Sequence, residues 1–116
     1  MYVDGFVLAV PSDGKEAYRR HAEEAAVVFR KHGALSLVEA WGDDVPEGKL
    51  NSMHTAVLRK PEETVVFSWI TWPDKATRDE GMQKVFAEGR ASGFMDRMPF
   101  DGSRMIFGGF EVIVDA

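Results

Sequence analysis

Cysteine is absent from this chain. That excludes disulfides, thiolate nucleophiles and every cysteine-based metal site. Long apolar runs are missing as well. The longest, Phe6 to Val10 and Ala25 to Phe29, are far too short to span a bilayer, and no basic segment precedes a cleavable hydrophobic stretch. These absences lead us to expect a cytoplasmic protein with no membrane partner.

Clustered positive charge is also lacking. The chain carries 14 Lys and Arg against 19 Asp and Glu, a formal net charge of −5, and most basic residues alternate with acids. A polyanion partner needs grouped cations that displace counterions, so no nucleic acid is expected. No Gly-x-Ser-x-Gly elbow and no dinucleotide or triphosphate loop occurs, which removes the usual serine hydrolases and nucleotide binders. The only histidines are His21, His32 and His54, and the first two stand eleven residues apart. That is outside the i, i+3 or i+4 spacing that brings two ligands to one metal from a helix. Neither a metal nor a cofactor is expected.

What remains is ordinary soluble material, 45% hydrophobic and 28% charged over 116 residues. This is enough for one core and one domain, residues 1–116. Residues 2–10 read as a strand ended by Pro11. Asp13, with Glu16 three residues on, reads as the capping box of a helix through His32. Tyr18, Ala22, Ala25 and Phe29 make its apolar stripe, and Gly33 stops it. Strands are expected over 34–41, 64–72 and 104–114, with a further alternating stretch over 53–60. A second helix starts at Pro73-Asp74 and runs to about Glu88, and residues 89–98 add a short helical turn. This order predicts an α+β, ferredoxin-like sandwich: one antiparallel sheet with two main helices on one face.

The strand faces carry that reading further. Over 65–72, Val65, Phe67 and Trp69 oppose Val66, Ile70 and Trp72, and the last strand is apolar on both sides too. Two helices cover one face only, so the other face needs a cover. A second copy of the chain, bound through the sheet faces as a homodimer, is the expected one; the long loop over 42–52 and the 90–98 segment are the alternative.

Candidate chemistry rests on polar residues in apolar settings. Arg78 lies on the inward stripe Arg78-Met82-Val85/Phe86-Gly89 and is expected at least half buried. It would hold a ligand carboxylate or enolate bidentately, or pair with an acid such as Glu39, Glu111 or Asp101. Glu39, Ser68 and Glu111 interrupt apolar strands and need partners, with Arg104 among those available. His21 borders the apolar stripe of the first helix and would suit general base work or a water-satisfied surface position. Trp69, with Trp41 and Trp72, serves either an aromatic pocket or a core. Asp101 sits in the Pro99-Phe100-Asp101-Gly102 turn. The ligand candidates are therefore Arg78, His21, Glu39, Ser68, Trp69, Asp101 and Arg104.

Met-Pro-Phe-Asp-Gly-Ser-Arg-Met-Ile-Phe-Gly-Gly-Phe over 98–110 is the most distinctive stretch. Val-Val-Phe-Ser-Trp-Ile (65–70), Trp72-Pro73, Arg78-Asp79 and the opening Tyr2-Val3-Asp4-Gly5-Phe6 stand ahead of it. In these motifs the chain resembles the YbaA-like bacterial family of unknown function, related to the ferredoxin-like dimeric α/β-barrel superfamily. The resemblance implies that two sheets pair into a dimeric α/β barrel, and it supplies no reaction. Met82, Ser103 and Met53 depart from that family's pattern, so no site is placed on them. Two functions are weighed. One is a small homodimer with a small-ligand pocket and no reaction. The other is a cofactor-independent monooxygenase or isomerase acting on an enolisable or aromatic compound, an expectation from fold analogy.

Overall fold

A computed structural model describes residues 1–116. Strand β1 (Tyr2–Pro11) leads through a 3₁₀ turn (Ser12–Gly14) to helix α1 (Lys15–Lys31) and strand β2 (Ser36–Trp41). A short helix α2 (Met53–Ala56), strand β3 (Glu63–Trp72) and helix α3 (Lys75–Ser92) follow. Two 3₁₀ turns, Phe94–Arg97 and Gly102–Arg104, then lead to strand β4 (Ile106–Glu111). The sheet is antiparallel in the order β2-β3-β1-β4, the ferredoxin-like arrangement, with α1 and α3 on one face.

That face carries Leu8, Val10, Val66, Ile70 and Trp72, all at most 3% exposed, against Tyr18 and Ala22 of α1. Gly81 brings α3 close to it. A Cβ there would stand 2.6 Å from both the Trp72 ring and the His32 carbonyl, distances no side chain tolerates without a shift of backbone. Asp74 starts α3 by accepting the Thr77 amide at 2.7 Å.

Several expectations are corrected. The sheet is open: its four strands run in a line from β2 to β4 and do not close on themselves. There is no barrel, and the structure is that of a single chain. Residues 53–60 form no strand. Ser52 accepts the Thr55 amide and Thr55 accepts the Ser52 amide, both at 3.0 Å, and this reciprocal cap starts a helical turn where side-chain alternation alone reads as a strand. The segment then inserts Val57, wholly buried, against Ala9 and Val65, so the chain itself covers part of the second sheet face. The rest of that face stays open, with Phe67 43%, Ile106 45% and Phe110 61% exposed. The 94–97 turn goes to the helix side instead. Asp13 makes no side-chain cap. Gly14 occupies the cap position of α1, and Glu16 bonds Arg19 one turn on rather than reaching back. The last strand ends at Glu111, which is exposed.

Candidate functional site

Sheet, α1 and α3 splay apart towards β4 and leave a cavity of about 430 Å³, walled mainly by apolar side chains including Phe6, Phe29, Met82, Met95, Met98 and Phe107. Ligand sites in small proteins share this character: apolar walls with a few convergent polar groups. Four thioether- and aromatic-rich positions, Met82, Met95, Met98 and Phe94, come from α3 and the turn after it. Methionine is unbranched and polarizable, so such a wall adapts to shape.

Four of the seven ligand candidates line this cavity: Arg78, His21, Glu39 and Ser68. Glu39 and Ser68 are cross-strand partners in the β2–β3 register. The Tyr18 hydroxyl donates to Glu39 Oε1 at 2.6 Å. Glu39 is exposed to water, through the cavity and through a groove of about 270 Å³ between α1 and the β2 edge that Lys15 and Arg19 also line. Partial burial raises its pKa, against the opposite pull of the Tyr18 and Ser68 hydroxyls. Burial and the facing Glu39 charge raise that of Tyr18. The His21 ring stacks on Phe94 with centroids 3.9 Å apart and planes 13° off parallel. Burial lowers its pKa; Glu24 raises it, and the Arg97 charge lowers it further.

Arg78 is held by two carboxylates. Its Nε donates to both Asp4 oxygens at 3.1 Å, its Nη2 to Asp4 Oδ1 at 2.7 Å, and its Nη1 to Asp79 Oδ1 at 2.9 Å. The guanidinium lies 5.0 Å from the Tyr2 ring centroid. Bonds to Asp4 raise its pKa. Asp4 is 3% exposed and also accepts the Trp72 indole N–H at 2.9 Å. Opposite Asp4 in the ladder stands Gly109, where a Cβ would collide with Tyr2 and come within 2.7 Å of Arg78 Nη2. The glycine lets the guanidinium lie flat on the sheet.

Trp69, Asp101 and Arg104 lie elsewhere. Trp69 is on the opposite sheet face, tilted against Phe67 at 5.6 Å. Arg104 joins Glu63 through two bonds of 2.8 and 2.7 Å and Asp101 at 2.9 Å, at the far end of β3 from Ile70. The residues that sequence reasoning missed are Asp4 and Tyr18. Asp4 shares its strand face with Phe6, Leu8 and Val10, and an acid in that alternation requires a partner as surely as Glu39 does. Tyr18 was read as one apolar position of the helical stripe, and its hydroxyl is what reaches across to the sheet.

No group of three or more His, Asp or Glu side chains is placed to hold a metal ion, and no helix is long and apolar enough to cross a membrane. Residues 1–102 match the family described as "Protein of unknown function (DUF1428)". An "Uncharacterized protein YbaA" of Escherichia coli (strain K12) is 53% identical over 114 residues, covering 98% of this chain and 97% of that protein. The chain belongs to the YbaA family of unknown function. A Shigella flexneri protein of the same description matches over the same span with the same identity. Among solved structures, that of Rv0793 from Mycobacterium tuberculosis is similar at TM-score 0.47 and 14% identity, covering 100% of this chain and 99% of that one. In this member of the DUF1428 family the matched span holds the cavity's polar set, Asp4, Tyr18, His21, Glu39, Ser68 and Arg78, but stops short of Phe107 on its rim.

Proposed function

We propose that this protein binds a small, largely apolar molecule in the cavity between α1, α3 and the sheet. The observation that carries the reading is that Glu39, Ser68 and His21, with the Asp4–Arg78 pair and Tyr18, line an open, mainly apolar space of about 430 Å³. The engagement of Arg78 speaks for binding without reaction, because its Nε–Nη2 edge is occupied by Asp4 and its charge is met by Asp4 and Asp79. One feature favours a second reading, an isomerase acting on an enolisable compound. A carboxyl with a raised pKa facing a cavity is suited to take a proton from carbon and return it.

A single experiment separates the two. 1-Tetralone, an enolisable aromatic ketone, is titrated with the protein in D₂O and followed by proton NMR. Binding broadens and shifts the ligand resonances, and Ala25→Phe, which fills the cavity, removes the effect. Loss of the protons alpha to the carbonyl, faster than in buffer and absent in Glu39→Gln, supports the isomerase. Unchanged resonances with the native chain would sink both readings.

The open sheet face suits self-association, face to face without closure of either sheet, in a cytoplasmic setting that the cysteine-free composition accommodates. Sedimentation at micromolar concentration should then show a species heavier than one chain, and Phe110→Glu should return it to monomer. A monomeric native chain would remove this part of the proposal.

A further inference from the structure

The cavity's charges decide which ligands it accepts. Its polar lining consists of Asp4, Tyr18, His21, Glu39, Ser68 and Arg78. The one fixed cation among them, Arg78, has its Nε and Nη2 on Asp4 and its Nη1 on Asp79, so its charge is already met by two carboxylates. Of the cations outside the lining, Arg97 bonds Glu24 at 3.4 Å, and Lys15 and Arg19 line the groove on the far side of Glu39. Against these stand two carboxyl groups, Asp4 and Glu39. We propose, resting on the cavity reading above, that the site takes uncharged molecules with a hydroxyl or carbonyl at one end and rejects carboxylates.

The physical case has three steps. A ligand carboxylate entering the cavity leaves water and must find a cation or several donors to offset that loss. At Arg78 it would be a third carboxylate around one guanidinium, or would have to displace Asp4 from the Nε–Nη2 edge. That residue is 3% exposed and has one other donor, the Trp72 indole, so its own charge would be left buried and nearly unpaired. Remaining at the Glu39 end would set two carboxyl groups side by side, a like-charge contact that the water around the exposed Glu39 screens only in part. A neutral hydroxyl meets neither obstacle. It donates to Glu39 or accepts from Ser68, whose position opposite Glu39 in the ladder puts donor and acceptor together. Apolar rings on the rest of the ligand meet Phe6, Phe29, Phe94 and the methionines.

The test uses two probes of nearly equal shape, 2-naphthalenemethanol and 2-naphthoate, measured by calorimetry at neutral pH with the native chain. The alcohol should bind at least about tenfold tighter, or about 1.4 kcal/mol, since a carboxylate at the Glu39 end meets a like charge and gives up water. Two variants change the charge without changing the shape. Asp4→Asn keeps an acceptor for the Trp72 N–H and releases the charge of Arg78, so naphthoate binding should gain at least about tenfold while the alcohol changes little. Glu39→Gln removes the second repulsion and should narrow the ratio from the other end, which keeps the test open if Asp4→Asn folds poorly. Naphthoate binding the native chain as tightly as the alcohol, in a manner Ala25→Phe abolishes, would overturn the charge rule and leave the cavity reading standing. Binding of neither probe would overturn the cavity reading, and the charge rule with it. An unaltered ratio in both variants would show that discrimination comes from something other than Asp4 and Glu39, and would also overturn the rule.

Discussion

Arg78→Ala should lower the stability of this protein by about 3–5 kcal/mol, the cost of breaking a buried ion pair from one side. The size of the effect comes from what the substitution leaves behind. Asp4 is 3% exposed and would keep a single donor, the Trp72 indole N–H. The reverse truncation should cost less. Asp4→Ala leaves a guanidinium whose side chain is 23% exposed and still bonded to Asp79, so water and Asp79 take up much of the charge. Its main loss is the orphaned Trp72 N–H, worth about 1–3 kcal/mol. The double substitution should therefore be more stable than Arg78→Ala alone, because it removes the stranded carboxylate. Arg78→Lys should not restore the native value, since an ammonium cannot reproduce the two-point bond to Asp4. Urea unfolding of the four chains of the double-mutant cycle, and of Arg78→Lys beside them, measures all of this. A loss under about 1 kcal/mol for Arg78→Ala, the range of an exposed pair, would show that Asp4 is not buried against the guanidinium.

The inward face of α3 was legible because Arg78, Met82 and Val85 repeat at helical spacing, and that spacing turns the charge towards the sheet. The partner was not. Glu39, Glu111 and Asp101 were weighed because they lie in strands or turns near the expected site, whereas Asp4 was absorbed into a strand judged by its apolar neighbours. The general rule, that a polar residue in phase with an apolar strand face has a partner, holds for Asp4 in β1 as it does for Glu39 in β2. Helices and strands with clear periodicity came out within a few residues of their observed ends. The stretch over 53–60 did not, because a reciprocal Ser52–Thr55 cap outweighs a weak alternation.

The barrel is the more instructive failure. Two apolar faces on Val65–Trp72 establish that both sides of the strand avoid water, and say nothing of what provides the cover. On one side the chain supplies it by itself at Val57, against Ala9 and Val65. Farther along, Phe67 and Phe110 stay in the open. Closure depends on strand number, tilt and stagger acting together, and four strands with free edges at β2 and β4 do not meet those conditions. The site was half legible for a related reason. Residues on one strand face or one helix stripe can be grouped from spacing, which brought Arg78, His21, Glu39 and Ser68 together. Trp69 fell on the other face, and Asp101 and Arg104 belong to a cluster whose other half, Glu63, begins β3.

That cluster carries the second large effect, and it is one of pH. Glu63 is 7% exposed and receives both terminal nitrogens of Arg104, at 2.8 and 2.7 Å, together with the Lys60 amide at 2.8 Å. The bonds from Arg104 hold its pKa at about 2, against an ordinary 4.5, although burial pulls the other way. Its folded value is depressed, so the unfolded chain takes up the proton first. The stabilisation is complete above the unfolded value and drains away as pH falls from about 4.5 towards 2. Its full size is about 3 kcal/mol, from the two values at about 1.4 kcal/mol for each unit. Asp101, also held at about 2, chiefly by its own Ser103 and then by Arg104, drains over the lower part of the same range. Arg104 links the 3₁₀ turn before β4 to the start of β3, and it also donates to the Leu58 carbonyl at 2.9 Å. Arg104→Ala should therefore cost about 3 kcal/mol or more at pH 7, where Glu63 would be stranded. The gap between native and variant chains should close as the acid is titrated, because a protonated Glu63 no longer needs the guanidinium. Urea midpoints for both chains at pH 7, 4 and 3 make the comparison. A gap that stays constant across that range would mean that Arg104 acts through packing and the Leu58 carbonyl rather than through the Glu63 charge.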